Sequence, residues 1–261
     1  MTEVQTVRLP DGKDYYIPAH DYEQYSEIEF IYSEVWNSRD YLSHGIELRP
    51  GAVVVDAGAH VGLFTLFVKH LVPDARVLAF EPVPVTRHAL LKNLQAHGGD
   101  GVSVHPVGLG ERREENVVFT CYPRIPANST RYPAEKRLSQ QLAEPLFGRQ
   151  GWEEAERQLQ GYEVSATVER LSDVLARRPD IDTIDLLKVD VEGAELDVLA
   201  GIDDSDWPRI RQAVVEVQDL DGRRLDAVVS VLARHGFTTQ TVGSAEIPAE
   251  LRYFLVYATR V

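Results

Sequence analysis

Short apolar runs, most of them rich in β-branched residues, alternate along this chain with segments whose apolar residues recur at helical spacing. A strand buried on both faces has such a near-continuous apolar sequence, and parallel strands are joined by helical crossovers. The pattern therefore predicts a doubly wound α/β fold with a mainly parallel sheet. The predicted strands are Ala52–Asp56, Arg76–Glu81, Val102–Val107, Glu163–Val168, Ile184–Asp190 and Ala213–Val217, with Phe237–Val242 and Tyr253–Ala258 as a final strand pair. The predicted helices are Leu63–Leu71, Val85–His97, Leu171–Arg177, Ala194–Ala200 and Leu225–His235.

Two segments depart from this alternation. Within residues 1–48, the stretch Asp21–Ile46 places apolar residues at helical spacing, which predicts an N-terminal helical cap. Residues 120–160 are rich in Pro, Arg, Gln and Glu and predict an insertion, which is either a substrate lid or a solvated loop. Because neither segment has the composition of an independent domain, we interpret residues 1–261 as one domain. The helices predicted within the insertion are Ala134–Leu146 and Trp152–Gln160.

The net charge limits the kinds of binding partner that we expect, and the cysteine content indicates the redox state of the compartment. The formal net charge is −14, from 41 acidic and 27 basic residues, so we expect no binding to bulk nucleic acid or to an anionic membrane. The single cysteine, Cys121, allows no intramolecular disulfide and fits a reducing cytoplasm. No run of about 18 apolar residues predicts a membrane span, and Met1–Pro10 does not resemble a secretory signal. Homo-oligomerisation stays open.

The first chemical motif is the turn Asp56–Gly62, which lies directly after an apolar strand and before a helix. In open α/β sheets ligands bind at the carboxyl ends of the strands, and glycine lets the backbone approach the ligand closely. Glu81 ends the next strand about 25 residues later, close to the offset of roughly 20 residues at which a carboxylate binds ribose hydroxyls. The motif therefore predicts a site for an adenosine-containing cofactor.

Two kinds of cofactor fit such a turn. A dinucleotide seats its pyrophosphate on a helix N-terminus and favours a three-glycine fingerprint, which this turn lacks because three other residues separate Gly58 from Gly62. S-adenosylmethionine (SAM) has no phosphate, and an acidic residue such as Asp56 helps to hold its ammonium group. We therefore favour SAM, with a nicotinamide-dependent oxidoreductase as the alternative. A non-catalytic binding protein with the same fold is the second alternative.

Acidic residues at the ends of two later strands point towards the same crevice. Asp190 follows the strand Ile184–Val189, and Glu216 lies in the strand Ala213–Val217. These carboxylates, with Gln218, suit a divalent ion such as Mg²⁺, a bound substrate or a general base. Glu192 is interpreted either as a further site residue or as the N-terminal cap of the next helix. His60 is a further catalytic candidate because it lies in the cofactor turn.

Taken together, these motifs resemble those of the FkbM family of SAM-dependent methyltransferases. The matching segments are VVVDAGAHVGLFT, VLAFEPVP, DLLKVDVEGAELDVLAG and AVVEVQD, and the resemblance extends over most of the chain, from about Phe30 to Phe254. The segment CYPRIPANSTRYPAEK resembles the insertion of members linked to natural-product assembly. One departure is Gln218, since many members have histidine after the Val-Glu-Val run.

The resemblance implies the seven-stranded class I methyltransferase sheet, which is Rossmann-like, and O-methylation of a hydroxyl on a small-molecule or carrier-bound acceptor. The catalytic residues it suggests are Asp190, Glu216, Glu192 and His60. The expected cofactor-binding residues are Asp56, Gly58, Ala59, His60, Gly62, Thr65, Glu81, Pro82, Val107, Gly108 and Asp190, with Glu81 on the ribose and Val107-Gly108 near the adenine. The candidate substrate contacts in the insertion are Arg124, Asn128, Ser129 and Thr130.

Overall fold

The structure is a computed structural model that describes residues 3–19, 27–244 and 247–260. In chain order its strands are β1 (Val4–Arg8), β2 (Asp14–Pro18), β3 (Val53–Ala57), β4 (Arg76–Phe80), β5 (Val102–His105), β6 (Val107–Leu109), β7 (Glu114–Cys121), β8 (Tyr162–Glu169), β9 (Leu186–Val189), β10 (Gln212–Gln218), β11 (Thr238–Gly243) and β12 (Tyr253–Thr259). The α-helices are α1 (Glu27–Tyr32), α2 (Leu63–Leu71), α3 (Pro84–His97), α4 (Pro133–Gln158), α5 (Leu171–Ala176), α6 (Glu195–Ala200) and α7 (Arg224–Arg234).

Seven of these strands form the central sheet, in the order β11-β12-β10-β9-β3-β4-β5. β12 runs antiparallel to both of its neighbours, whereas the pairs from β10 to β5 are parallel. The predicted doubly wound, mainly parallel, seven-stranded sheet is therefore confirmed. The topology brings the carboxyl ends of β3, β4, β9 and β10 to one edge, where ligands bind in sheets of this kind.

The apolar runs form strands because both faces of the sheet are covered. In β3, Val53 and Val55 pack with residues of α5, α6 and α7, while Val54 packs with Phe67 and Val68 of α2. Successive strand residues point to opposite faces, so a strand between two helical layers needs apolar residues at every position. All five residues of β3 are buried, including Asp56 at the edge where the site lies.

The predicted strand Val102–Val107 is interrupted in the structure. β5 ends at His105, and β6 starts at Val107 in a separate three-stranded sheet of order β6-β8-β7. Pro106 lies between them and has no N–H to donate to a ladder, which explains why the pairing changes there. The predicted strand at residues 163–168 corresponds to β8 and joins this small sheet, outside the central one.

The insertion contains one long helix where the sequence predicts two. α4 runs through Pro145 without ending. Proline removes one backbone hydrogen bond, and Pro145 is exposed, so water is available to the carbonyl that loses its partner. The helix begins against the central sheet, since Lys136 near its start is buried.

The N-terminal segment is mixed rather than purely helical. β1 and β2 form an antiparallel hairpin, and in the described residues α1 (Glu27–Tyr32) is followed by a π-helical turn, Ser33–Ser38. The part of the predicted helical region at residues 20–26 lies outside the described residues. Within the described ranges, no helix combines the length and the apolar character that a membrane crossing requires.

Candidate active site

A cavity of about 460 Å³ lies at the carboxyl edge of the sheet. Its floor comes from the ends of the central strands, with Gly58, Ala59, Glu81, Asp190 and Glu216. Its walls come from outside the sheet: Phe30, Ile31 and Glu34 of the N-terminal helices, residues 125–129 and Ser139 of the insertion, and Ile247, Pro248 and Leu251 before β12. The two segments that depart from the α/β alternation therefore enclose the cavity together with residues 247–251.

Asp56 supports the cofactor turn from below and lies outside the cavity lining. It is fully buried, accepts a 2.6 Å hydrogen bond from the Thr65 hydroxyl, and lies 3.3 Å from the ammonium of Lys188. Gly62 is likewise absent from the lining, and a Cβ atom there would lie 2.4 Å from Leu90 Cδ1. Within the described chain, these three predicted cofactor residues, Asp56, Gly62 and Thr65, fix the turn and do not line the cavity.

Gly58 brings the cofactor turn against the end of β9. It has a positive φ of 79°, and a Cβ atom at this position would lie 1.8 Å from the backbone oxygen of Asp190. Only glycine fits both constraints without a backbone shift. The close approach places the residues after β3 beside Asp190, so Gly58, Ala59 and His60 of the turn line the same cavity as the Asp190 carboxylate.

Glu81 lies at the end of β4 with its carboxylate fixed by the backbone. Oε1 accepts a 2.8 Å hydrogen bond from the Val83 N–H, and Oε2 accepts a 3.0 Å bond from the His60 N–H. Burial raises the pKa of Glu81 to about 7, although both hydrogen bonds favour its ionised form. Each carboxylate oxygen retains lone pairs for a ligand hydroxyl. The Glu81 carboxylate can therefore accept further hydrogen bonds from a ligand, as the predicted contact to a ribose requires.

His60 carries its side chain into the cavity on a left-handed turn, with φ 50°. Neither ring nitrogen finds a hydrogen-bond partner among the described residues, and Nε2 lies 4.0 Å from Oε2 of Glu27. Burial lowers the pKa of His60 to about 4 and raises that of Glu27 to about 8. Glu27 also accepts a 3.0 Å hydrogen bond from the Ala127 N–H of the insertion. Glu27 could not be identified from the sequence, because it belongs to none of the motifs.

Asp190 and Glu216 meet at one end of the cavity through Tyr41. The Tyr41 hydroxyl lies 3.1 Å from Asp190 Oδ2 and 3.0 Å from Glu216 Oε2. Lys188 lies 3.2 Å from Asp190 and donates a 2.8 Å hydrogen bond to the Gly58 carbonyl. Burial and the nearby Asp190 raise the pKa of Glu216 well above its ordinary value. Lys188 lies within the segment DLLKVDVEGAELDVLAG, where a lysine gives no specific indication of a role, and Tyr41 has no sequence signal.

Glu192 does not cap a helix, so that interpretation of the sequence is wrong. It has a left-handed φ of 55°, and α6 begins three residues later at Glu195. Its carboxylate forms a buried ion pair with Lys136 of α4, and Lys136 also donates a 3.0 Å hydrogen bond to Asn128. Glu192 lines the cavity and at the same time holds the insertion to the sheet.

Some of the residues predicted to contact the substrate or the adenine line the cavity, and others lie outside its lining. Asn128, Ser129, Pro82 and Gly108 line the cavity. Of the described residues, Arg124, Thr130 and Val107 are outside the lining, whereas Arg131, which the sequence argument did not select, is part of it. Thr130 is buried, and its hydroxyl donates a 2.6 Å hydrogen bond to the Glu192 carbonyl. Thr130 therefore supports the turn that follows β9.

The oxygen donors at the cavity floor do not form a metal centre. No three His, Cys, Asp or Glu side chains of the described ranges are arranged to hold a metal ion. Asp190 faces the Lys188 ammonium, Glu192 faces that of Lys136, and the Gln218 amide donates to Ser139 Oγ at 2.7 Å. A divalent cation would have to displace these ammonium groups, so the donor set does not fit Mg²⁺.

Comparison with known proteins gives consistent matches. The family model described as the methyltransferase FkbM domain matches residues 56–239. The chain is 42% identical to 31-O-demethyl-FK506 methyltransferase FkbM of Streptomyces tacrolimicus, with 90% of this chain and 89% of that protein covered. It is 34% identical to Methyltransferase 1 of Beauveria bassiana over the full length of both. It is also 35% identical to part of AMB antimetabolite synthetase AmbE of Pseudomonas aeruginosa, over 87% of this chain and 11% of the synthetase.

Proposed function

Since this chain belongs to the FkbM family of SAM-dependent methyltransferases, we propose that it methylates a hydroxyl oxygen of a natural-product intermediate, either free or bound to a carrier. The observation that carries the proposal is the position of Asp190 and Glu216 in the same cavity as Glu81. The cavity thus offers acceptors for ribose hydroxyls together with carboxylates that position a hydroxyl and take its proton.

The residues that would hold SAM are Glu81 for the ribose, the backbone of Gly58–His60, and Pro82 and Gly108 beside them. SAM supplies an electrophilic methyl group on a positively charged sulfur. This part of the cavity suits a cation, because Asp190 and Glu216 of the floor and Glu34 of the wall line it, with Lys188 as a counter-charge. We assign Asp56 and Thr65 to supporting the turn, on the basis of their burial beneath it.

Asp190 is the residue we propose for the acceptor hydroxyl. A hydroxyl has a pKa far above 7, so its proton must leave as the new oxygen–carbon bond forms, and a carboxylate within hydrogen-bond reach accepts it. Lys188 fixes Asp190 and stands above the rings of Tyr41 and Phe64, at 5.3 and 5.8 Å from their centroids. No step is assigned to Mg²⁺, because the donor set does not fit it.

The acceptor would lie under the insertion. Ile125 and Pro126 on one side, and Pro248 and Leu251 on the other, give this part of the cavity an apolar lining. Such a surface suits a hydrophobic body that carries one hydroxyl to the carboxylates. The relative named for 31-O-demethyl-FK506 supports oxygen as the acceptor atom. The match to part of a synthetase is our reason for including carrier-bound intermediates.

The experiment is calorimetric titration with SAM, S-adenosylhomocysteine and NAD, followed by transfer of labelled methyl groups to matched alcohol, amine and thiol acceptors. We expect both adenosyl ligands to bind, NAD not to bind, and the alcohols to be labelled. Labelled amines with unlabelled alcohols would refute O-methylation. NAD binding in place of SAM would favour the oxidoreductase alternative. Tight SAM binding with no labelled acceptor, also after carrier-bound hydroxyacyl groups are tried, would favour a binding protein.

A further inference from the structure

The hydroxyl of Tyr41 makes two contacts that one proton cannot serve. It lies within hydrogen-bond distance of a carboxylate oxygen of both Asp190 and Glu216, at 3.1 and 3.0 Å. A phenol donates one hydrogen bond and accepts through its oxygen. Burial and the two carboxyl groups raise the pKa of Tyr41 well above 10, so the phenol stays neutral. With both acids ionised, one carboxylate oxygen would face the phenol oxygen with no proton between them.

A single additional proton completes this network. If one carboxyl is protonated, it donates to the Tyr41 oxygen, and the Tyr41 hydroxyl donates to the other carboxylate. Lys188 lies 3.2 Å from Asp190, so the ionised member of the pair is Asp190. Glu216 is surrounded by further negative charge from Glu192 and Glu34 in addition to Asp190, and its pKa is raised by burial and by these groups. The proton therefore resides on Glu216.

We propose that Tyr41 is a positioning residue that couples Asp190 and Glu216 into a pair sharing one proton, and that this pair releases its proton to solvent when a ligand with a positive sulfonium binds. The inference rests on the proposed function, since it takes SAM as the ligand. The step is the ionisation of the Glu216 carboxylic acid, with the proton passing to the buffer. The Tyr41 hydroxyl then donates to one of the two carboxylates, and the pair is free to accept the proton of an acceptor hydroxyl.

The charged surroundings favour this response. The groups that face the pair lie on several elements: Asp56 on β3, His60 in the turn after it, Lys188 on β9, Glu192 after β9, Glu34 in the π-helical turn, Lys136 on α4, and Tyr253 and Tyr257 on β12. Lys188 is shared between Asp190 and Asp56, and Lys136 is paired with Glu192. Among the described residues, Glu216 itself therefore has no ion-pair partner within 4 Å. A sulfonium brings the missing positive charge, whereas S-adenosylhomocysteine, a neutral thioether, does not.

The test compares proton release by the two ligands. SAM and S-adenosylhomocysteine are titrated at pH 7 in buffers of different ionisation enthalpy, and the slope of the observed enthalpy gives the protons released. We expect SAM to release more protons than S-adenosylhomocysteine, by up to about one per site. The Glu216→Gln variant should bind both ligands and lose the difference, whereas Glu27→Gln, which changes the other strongly raised carboxyl of the cavity, should keep it.

The role of Tyr41 is tested by the Tyr41→Phe variant, which keeps the ring that packs against Phe64 and lies under Lys188. In the wild-type protein the affinity for SAM relative to S-adenosylhomocysteine should rise with pH. The rise should be up to about tenfold for each pH unit over which SAM binding releases one proton. The variant removes two hydrogen bonds from the pair that shares one proton but only one from the ionised pair, so this rise should move to lower pH. A purely structural role would weaken both ligands equally without moving it.

Equal proton release by the two ligands, with both bound, would overturn the inference and leave the proposed function standing. A difference that persists in Glu216→Gln would also overturn it, since the proton would come from another group. If Glu216→Gln does not fold, the pH shift in Tyr41→Phe decides alone, and an unmoved rise overturns the coupling. Failure of both adenosyl ligands to bind the wild-type protein would refute the proposed function itself.

Discussion

The carboxylate of Glu81 is preorganised for ligand binding. Its two backbone hydrogen bonds fix both carboxylate oxygens at the end of β4, so little conformational freedom remains to be lost on binding. Glu81→Ala should weaken SAM binding by about 1.5–3 kcal/mol, the range for a hydrogen bond to a charged group. Calorimetry measures the change, with Glu111→Ala on the exposed surface as the control. Unchanged affinity in the folded variant would remove Glu81 from the ribose role.

The proposed role of Asp190 as the general base can be tested by removing its charge. Asp190→Asn keeps the shape of the side chain but removes the charge that accepts the acceptor proton and faces Lys188. Turnover should fall by about 10²-fold or more, the scale of losing a general base, while SAM affinity changes much less. Steady-state rates with an acceptor from the panel are compared with those of Asp100→Asn, an exposed control. Near-normal turnover would leave Asp190 structural and direct attention to His60 and Glu216.

At the level of secondary-structure elements, the insertion connects two neighbouring strands and can be replaced by a short turn. Its flanking strands, β7 and β8, are antiparallel, and Cys121 pairs with Tyr162, so a tight turn can replace Arg124–Gln158 without disturbing the ladder. The deletion would leave Glu192 without its ion-pair partner, so the variant should also carry Glu192→Gln. SAM binding should persist and methyl transfer should fall by about 10²-fold or more.

The control for this deletion is Glu192→Gln in the full-length chain, which separates the loss of the carboxylate from the loss of the lid. Calorimetry with SAM shows whether the shortened protein keeps its cofactor site, and transfer of labelled methyl groups shows whether it keeps its activity. A shortened protein that transfers methyl groups at the rate of the Glu192→Gln control would contradict the assignment of the insertion as a substrate lid.

For the whole molecule, buried acids connect stability to pH. Burial raises the pKa values of Glu81 and Glu195 to about 7 and that of Glu27 to about 8, from 4.5. The folded state therefore holds these protons more tightly than the unfolded state, and the associated stability is lost as pH rises through the folded pKa values. His60, whose pKa is lowered to about 4, acts in the opposite direction, but only below about pH 6.5.

Between pH 6.5 and 8 the free energy of unfolding of the ligand-free protein should consequently fall, on the order of 1 kcal/mol for each of the three carboxyls. Chemical denaturation at a series of pH values measures it. Glu195→Gln, which removes a carboxyl with one oxygen lacking a hydrogen-bond partner in the described chain, should flatten the slope. A free energy that rises over this interval would contradict the assignment of protonated acids to the folded state.

The sequence predicts the central sheet well because burial on both faces imposes a local pattern: β3 and β9 are apolar at nearly every position. Asp190 and Glu81 could be located for the same reason, since each follows such a strand. Tyr41 and Lys136 could not, because their partners lie 149 and 56 residues away and leave no periodic signal. The continuous helix through Pro145 was missed because an exposed position tolerates a proline that a buried one would not.

The buried ion pair between Lys136 and Glu192 has a consequence for exchange of parts among relatives. Lys136 belongs to the insertion, whereas Glu192 belongs to the segment after β9. A recombination breakpoint between the two segments would therefore separate the partners of the ion pair. A chimera that receives only a foreign insertion keeps an uncompensated acid beneath it, unless the graft brings its own cation to that position. Acceptor specificity should therefore transfer between family members as a two-piece cassette that carries the insertion together with the segment after β9.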